Sequence, residues 1–165
     1  MNIAVVILNW NGKHLLEAFL PSVVDHSAEH DIYVVDNGSS DNSIDYIKNN
    51  HPKINIIKFS KNYGYAEGYN TALKGIKADV FCLLNSDVAV TKNWLNPIVE
   101  CFKLESDVAI IQPKILDQKQ PYTFEYAGAA GGFIDRLGYP YCRGRIFNSV
   151  EKDHGQYNDE KTIFW

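Results

Sequence analysis

Short runs of β-branched and aliphatic residues alternate with longer stretches in which apolar side chains recur every three or four positions, and this alternation persists through residue 112. Ile3–Leu8, Ile32–Asp36, Ile54–Phe59, Val80–Leu84 and Val108–Gln112 read as strands. Their near-continuous apolar character is that of strands buried on both faces, and strands separated by helices pair in parallel. Between the first two runs, Leu15, Leu16, Phe19, Leu20, Val23 and Val24 follow the spacing of an amphipathic helix, with Pro21 expected to kink it. A second helix is expected after Ser39-Ser40, whose hydroxyls can cap free backbone N–H groups while Asp41 suits the positive end of the dipole. A third should run from about Tyr65 to Ile76, and a fourth contains Leu95, Ile98, Val99 and Phe102 with Pro97 in its first turn. The fold class that follows is α/β, a mostly parallel sheet with helices on both faces.

Beyond Pro113 the periodicity stops. Tyr122–Tyr126, the glycine-rich stretch Gly128–Gly132 and the polar tract Glu151–Glu160 show no helical repeat, and irregular or short antiparallel structure covering one end of the sheet is expected there. Thr162-Ile163-Phe164-Trp165 reads as the start of a strand, so the natural sequence is expected to continue past it. The organisation expected is one domain over residues 1–165, with a βα core over 1–112 and a partial further region over 113–165.

Composition narrows the functional classes. The chain has 165 residues, 45% hydrophobic, and 16 Lys+Arg against 20 Asp+Glu give a net charge of −4. A chain of this length buries about 70% of its extended surface, enough for a core without disulfides or structural metal. Neutralising nucleic-acid phosphates needs a clustered cationic face, and no Lys/Arg-rich run is present, so nucleic acid is not an expected partner. Cys82, Cys101 and Cys142 are odd in number, widely spaced and outside any CxxC pattern, which suits a reduced cytoplasmic setting. The apolar run Ile3–Leu8 is far shorter than the ~20 residues that span a bilayer, and no basic leader precedes it. Peripheral membrane association is expected only through sequence outside this chain.

Ligands of open parallel sheets bind beyond the carboxyl ends of the strands, and the residues there are unusually polar. The first run delivers Asn9-Trp10-Asn11-Gly12, the second Asp36-Asn37-Gly38-Ser39-Ser40-Asp41, the third Lys61-Asn62-Tyr63-Gly64 and the fourth Asn85-Ser86-Asp87. Each taken alone suits a turn, since Asn-Gly pairs and pre-helical Ser and Asp are ordinary turn and capping residues. Together they suit one crevice. Asp36 is placed to accept a hydrogen bond from a nucleobase N–H or a ribose hydroxyl. Gly64 and Gly68 let a helix start approach a sugar or diphosphate, or alternatively pack closely on the sheet, and Asn70 either faces the crevice or bonds its own loop. Tyr65 and Tyr69 share a helix face, as packing residues or as stacking platforms.

Asp87 follows an apolar strand almost directly and so calls for a partner. A hard cation such as Mg²⁺ or Mn²⁺ needs only one or two carboxylates when substrate phosphates and water supply the rest, although Asp87 can equally cap a helix near Asn93. There is no GxGxxG fingerprint, P-loop, HExxH motif or GxSxG elbow, and the five histidines lack metal-ligand spacing, which argues against dinucleotide oxidoreductases, P-loop NTPases, zinc enzymes and triad hydrolases.

Four motifs in order, Val5-Val6-Ile7-Leu8-Asn9-Trp10-Asn11-Gly12, Val34-Val35-Asp36-Asn37-Gly38-Ser39-Ser40-Asp41, Asn62-Tyr63-Gly64-Tyr65-Ala66-Glu67-Gly68-Tyr69-Asn70 and Leu83-Leu84-Asn85-Ser86-Asp87, resemble the family 2 glycosyltransferases with a GT-A fold. The resemblance covers roughly residues 2–116. It implies transfer of a sugar from a nucleoside-diphosphate sugar to a hydroxyl of a saccharide or lipid-linked acceptor, with inversion, in the synthesis of cell-surface polysaccharide or glycoconjugate. It further implies base contacts from Asn9 and Asp36, and a donor site that also includes Asn11, Asn62, Gly64, Asn70, Asn85 and Ser86. The family's DxD motif binds a divalent cation, Mg²⁺ or Mn²⁺, and here reads Asn85-Ser86-Asp87, an Asn-x-Asp form similar to that of rhamnosyltransferase-like relatives. Asp87 is then the metal ligand and Asn85 contacts ribose or a metal-bound water. The family's acidic general-base segment has no counterpart before Trp165, so Glu125, Asp135 and Glu151 are assigned no catalytic role and the chain alone is expected to bind donor without turnover. A sugar-nucleotide-forming nucleotidyltransferase is the runner-up, disfavoured because Asn9–Gly12 offers no cation to a triphosphate before Lys13. A non-catalytic interaction domain of the same fold is the third reading.

Overall fold

The structure is a computed structural model and describes residues 1–125, 129–159 and 163. The chain divides into two compact units, Met1–Ser106 and Asp107–Trp165.

In the first unit, β1 (Ile3–Asn9) lies at the centre of a four-stranded sheet of order β3-β2-β1-β4, with β2 at Asp31–Asp36, β3 at Asn55–Lys58 and β4 at Val80–Leu84. All pairings are parallel. Successive side chains of a strand point to opposite faces, and β1 divides accordingly. Ile3, Val5 and Ile7 pack with Leu16, Leu20 and Val23 of α1 (Lys13–His26) and Ile47 of α2 (Ser43–Asn50), while Ala4 and Val6 pack with Tyr69 and Ala72 of α3 (Tyr65–Leu73). Burying both faces is what makes these strands read as continuous apolar runs. α4 (Asn96–Leu104) places Ile98 and Val99 against the first of these clusters.

The expected α/β architecture with helices on both faces is therefore present. Two local expectations differ, at Val108–Gln112 and at the end of α3. Val108–Gln112 forms no strand: β4 remains at the sheet edge and Ile110 is 86% exposed, because β-branched composition describes a fit to a pleated surface and does not supply a neighbouring strand. α1 includes Pro21, the position of the expected kink, and runs on to His26 without the intrahelical bond that proline cannot donate. α3 ends at Leu73, although Ile76 is still buried against its cluster. Pro97 stands in the first turn of α4, as expected.

The second unit holds a small antiparallel sheet, in order β5 (Gly132–Ile134), β6 (Pro140–Cys142), β7 (Arg145–Ile146) and β8 (Ser149–Val150). Its core is Phe124, Ala129 and Ala130, flanked by Leu116, Cys142 and Tyr157. Short antiparallel structure was the expectation for this stretch; Tyr126, Gly128, Glu160 and, of the strand expected at the chain end, Thr162, Phe164 and Trp165 lie outside the described residues. Among the described residues no helix is long and apolar enough to cross a membrane.

Candidate functional site

The order of strands determines where a ligand can enter. The chain runs from β1 outward through β2 to β3, then returns across the sheet to place β4 on the other side of β1. The carboxyl ends of β1 and β4 thus flank the topological switch point, where connections leave in opposite directions and a crevice opens. Asn9 ends β1, in register with Asp36 at the end of β2.

Asn9 and Asp36 are both buried, 1% and 0% exposed. The Asn9 Nδ2 donates to Asp36 Oδ1 at 3.5 Å and to Ser39 Oγ at 3.3 Å, and the Ser39 amide donates to Asp36 Oδ2 at 3.3 Å. These are long bonds for a carboxylate, whose two oxygens offer about four lone-pair sites. Asn9 Oδ1 is buried with no hydrogen-bond partner, and it lies where a side chain at position 12 would begin, only 2.5 Å from an ideal Cβ built on Gly12. Gly12 therefore preserves the space beside an unused acceptor. The strand ends hold more buried acceptor capacity than the protein's own donors fill.

The loop after β1 is tied to the loop after β2. Asn11, at φ +52°, donates its amide to Ser39 Oγ at 3.0 Å, and its Oδ1 accepts from the Ser40 amide at 2.8 Å. Ser39 and Ser40 thus join loops and cap no helix, contrary to the sequence expectation. α2 begins only at Ser43, and Asp41 serves two helix starts at once, accepting from the Lys13 amide of α1 at 3.0 Å and from the amide and hydroxyl of Ser43. Burial alone would raise the Asp41 pKa; the Ser43 hydroxyl, the two amides and the Lys13 charge outweigh it and hold the carboxyl below its ordinary value.

Asn37 joins the third loop to the same mesh. Its Nδ2 donates to Asn62 Oδ1 at 2.9 Å and to the Gly64 carbonyl at 3.0 Å, while its Oδ1 accepts from the Tyr63 amide at 2.9 Å. Asn62 Oδ1 also accepts from the Gly64 amide at 2.7 Å, so Asn62 shapes the entry to α3. Gly38, at φ +76°, passes so close to this loop that a Cβ would meet Lys61 backbone at 2.5 Å. A Cβ on Gly68 would lie 3.1 Å from Leu8 and 3.3 Å from Asn37, which makes Gly68 a close-packing residue; Gly64, at φ +75°, has open space around it. Asn70 is exposed on α3 and bonds no group of its own loop. Tyr69 is a packing residue, donating its hydroxyl to the Leu84 carbonyl at 3.2 Å, and burial pushes its pKa up to about 12. Tyr65 stands edge-on to it and is 64% exposed.

The fourth loop is of a different kind. Asn85 and Asp87 are exposed, Ser86 is half-buried, and among the described residues none of the three side chains makes a hydrogen bond or ion pair. Asp87 is solvated and needs no protein partner, contrary to the argument from its nearness to the strand, and α4 starts too far on, at Asn96, for Asp87 to cap it. Asp36 ends β2 and Asp87 follows the end of β4 by three residues; the two strands have only β1 between them and are roughly 10 Å apart. No three His, Cys, Asp or Glu side chains cluster among the described residues. One free carboxylate with a neighbouring amide suits a hard cation that takes its remaining oxygens from water and phosphate, and does not suit a site built wholly from protein.

Two acidic side chains of the second unit are engaged by its own donors. Asp135 accepts from the Leu137 and Tyr139 amides, and Glu151 accepts from the Tyr157 hydroxyl and Gln156. Asn37, which sequence reasoning left as a turn former, proves to hold two loops together, and Asp41, expected at the start of the second helix, sits there and also receives the Lys13 amide of α1. Their signal was position, a polar residue directly after an apolar strand and an acid directly before a helix.

Known proteins are similar to the chain in sequence and in fold. The chain is 28% identical to an uncharacterized glycosyltransferase of Nostoc sp., over 79% of this chain and 42% of that protein. The structure of S. aureus TarS 1-349 in complex with UDP-GlcNAc is similar over 71% of this chain and 39% of that one, with a TM-score of 0.58 and 18% identity. A mannosyltransferase from Pyrobaculum calidifontis, PcManGT in complex with GDP-Man and Mn²⁺, is similar over 57% of this chain and 32% of that one, with a TM-score of 0.51 and 19% identity. The chain spans less than half the length of the curated relatives it matches. With the family model of glycosyl transferase family 2 matching residues 4–152, from the first residues of β1 to past β8, the chain belongs to that family.

Proposed function

We propose that this chain forms the donor-binding part of an enzyme that transfers a sugar, with inversion, from a nucleoside-diphosphate sugar to a hydroxyl of a saccharide or lipid-linked acceptor, in the building of cell-surface polysaccharide or glycoconjugate at the cytoplasmic side of the cell. The observation that carries the reading is the surplus of buried acceptors at the switch point, Asn9 Oδ1 and the sparsely bonded Asp36 carboxylate, one strand away from an unengaged Asp87. A nucleoside brings the complementary donors, a base N–H and ribose hydroxyls. The likeness to proteins whose structures contain UDP-GlcNAc, or GDP-Man with Mn²⁺, supports the same ligand class here.

The motif resemblance, together with positions at the strand ends, supports the following roles. Asn9 and Asp36 receive the base or ribose hydroxyl, while Asn11, Asn62, Gly64 and Asn70 edge the donor site. Asp87 holds Mg²⁺ or Mn²⁺, with Asn85 and Ser86 beside it reaching ribose or metal-bound water. When bound, the cation supplies charge that stabilises the departing diphosphate. Residues 1–112 are the nucleotide-sugar core and residues 113–165 part of the acceptor side.

Thermal denaturation with UDP-, dTDP- and GDP-sugars, with and without Mn²⁺, tests this. A donor at a hundred times its Kd stabilises the chain by about 2.7 kcal/mol, and the Mn²⁺-dependent part disappears in Asp87→Ala. Preference for nucleoside triphosphates would replace the transferase with a nucleotidyltransferase, and indifference to every nucleotide would leave an interaction domain.

A further inference from the structure

The second unit contains a cleft that the donor site does not use. It has a volume of about 550 Å³ and is formed by the turn around Lys119–Thr123 on one side and Lys152–His154 on the other. Its walls are fixed by local bonds. Asp117 Oδ1 accepts from the Lys119 and Gln120 amides at 2.7 and 3.1 Å, and the Thr123 amide and hydroxyl both donate to the Gln120 carbonyl at 2.8 Å. Across the cleft, the Asp153 amide donates to the Tyr122 carbonyl at 2.8 Å, and Thr123 forms an antiparallel bridge to Lys152.

The charges in this cleft are unevenly used. Its one carboxylate, Asp153, is engaged by the Lys114 ammonium at 2.6 Å and by the Gly155 amide at 3.0 Å, and the Lys114 hydrogen bond and charge keep its pKa low. The ammonium groups of Lys119 and Lys152 have no carboxylate partner among the described residues. Two free cations therefore line a cavity whose only anion is already neutralised. Tyr122, 77% exposed, lines the same cleft, and its ring gives a flat apolar face with a polar tip. Fixed backbone walls, two free ammonium groups, one open ring and the Gln120 amide match a sugar unit that bears a negative charge.

We infer that this cleft binds an anionic saccharide segment, with Lys119 and Lys152 on a carboxylate or phosphate and Tyr122 against the pyranose or polyol carbons. The saccharide identity rests on the transferase reading above; the anion preference rests on the cleft itself. The experiment is calorimetric titration of the whole chain with an oligogalacturonate, a glycerol-phosphate oligomer and neutral maltotetraose, each at 50 and 300 mM NaCl, with UDP binding measured on the same samples. One or both anionic oligomers bind, more weakly at high salt, and the neutral one does not; which of the two binds tells carboxylate from phosphate. Lys119→Gln with Lys152→Gln weakens that binding about fivefold, as expected for two exposed ion pairs, and Tyr122→Ala weakens it further while UDP affinity is unchanged. Equal binding of neutral and anionic oligomers, insensitivity to the double lysine change, or no binding of either anion overturns the inference. Anion binding without UDP binding would sustain the cleft and remove the donor assignment instead.

Discussion

The two units are stabilised by opposite means. Met1–Ser106 spreads its apolar burial over both faces of one parallel sheet, with β1 almost wholly enclosed and two separate clusters of side chains against it. Among the described residues of Asp107–Trp165 the buried cluster is Phe124, Ala129 and Ala130, and a row of ring and guanidinium contacts extends from it, Phe124 with Tyr157, Tyr157 with the Arg143 guanidinium, Arg143 with Phe133 and Phe133 with Tyr141. Within that described cluster Phe124 is the one large side chain, with two alanines beside it.

Phe124→Ala is the most severe test of this contrast. Removing a fully buried ring costs about 3–5 kcal/mol, and here it removes the largest member of its cluster. Limited proteolysis followed by mass spectrometry should show new cuts within 107–165 while Met1–Ser106 stays protected; simultaneous loss of both would mean that the units fold as one. Gly38→Ala comes next, at about 2–4 kcal/mol, because its φ of +76° is unfavourable to a side chain and the new Cβ would meet Lys61 backbone at 2.5 Å. Chemical denaturation measures the cost, and the damage belongs in the first unit alone. Asn37→Ala, which removes three hydrogen bonds around a buried amide, should cost about 2 kcal/mol in the same assay and weaken nucleotide binding with it. The smallest effect is a pH dependence. Asp41 has a folded pKa below its ordinary value of 3.8, so its stabilisation is complete above that value and is lost as pH falls through the lower folded one. Asp41→Asn should lower the melting temperature most above pH 4 and converge with wild type as the pH falls below that, which flattens the acid limb of the curve.

How far the fold could be read in advance follows the same division. In the first unit the apolar runs carry their own period, so β4 was located to the residue and β1 was short by only Asn9, whose backbone continues the pairing with Asp36. Val108–Gln112 has the same composition and no strand, since pairing depends on a neighbour that composition does not encode. In the second unit two- and three-residue strands leave too few positions for any period to appear. At the site, the polarity of the four strand ends was legible, but their connections were not: the Asn37 amide bonds residues 25 and 27 positions away, and no local pattern announces such a bond.

The Asn37 carboxamide has a consequence for how a nucleotide would be received. By joining the end of β2 to the turn before α3, while Asn11 and Ser39 join β2 to β1, it converts three excursions of the chain into one stiff rim. An incoming ligand meets a surface whose freedom was already surrendered when the protein folded, so little association energy is diverted to ordering it. The exposed Asn85–Asp87 tip has no such bracing, which leaves it as the adaptable side of an otherwise rigid mouth.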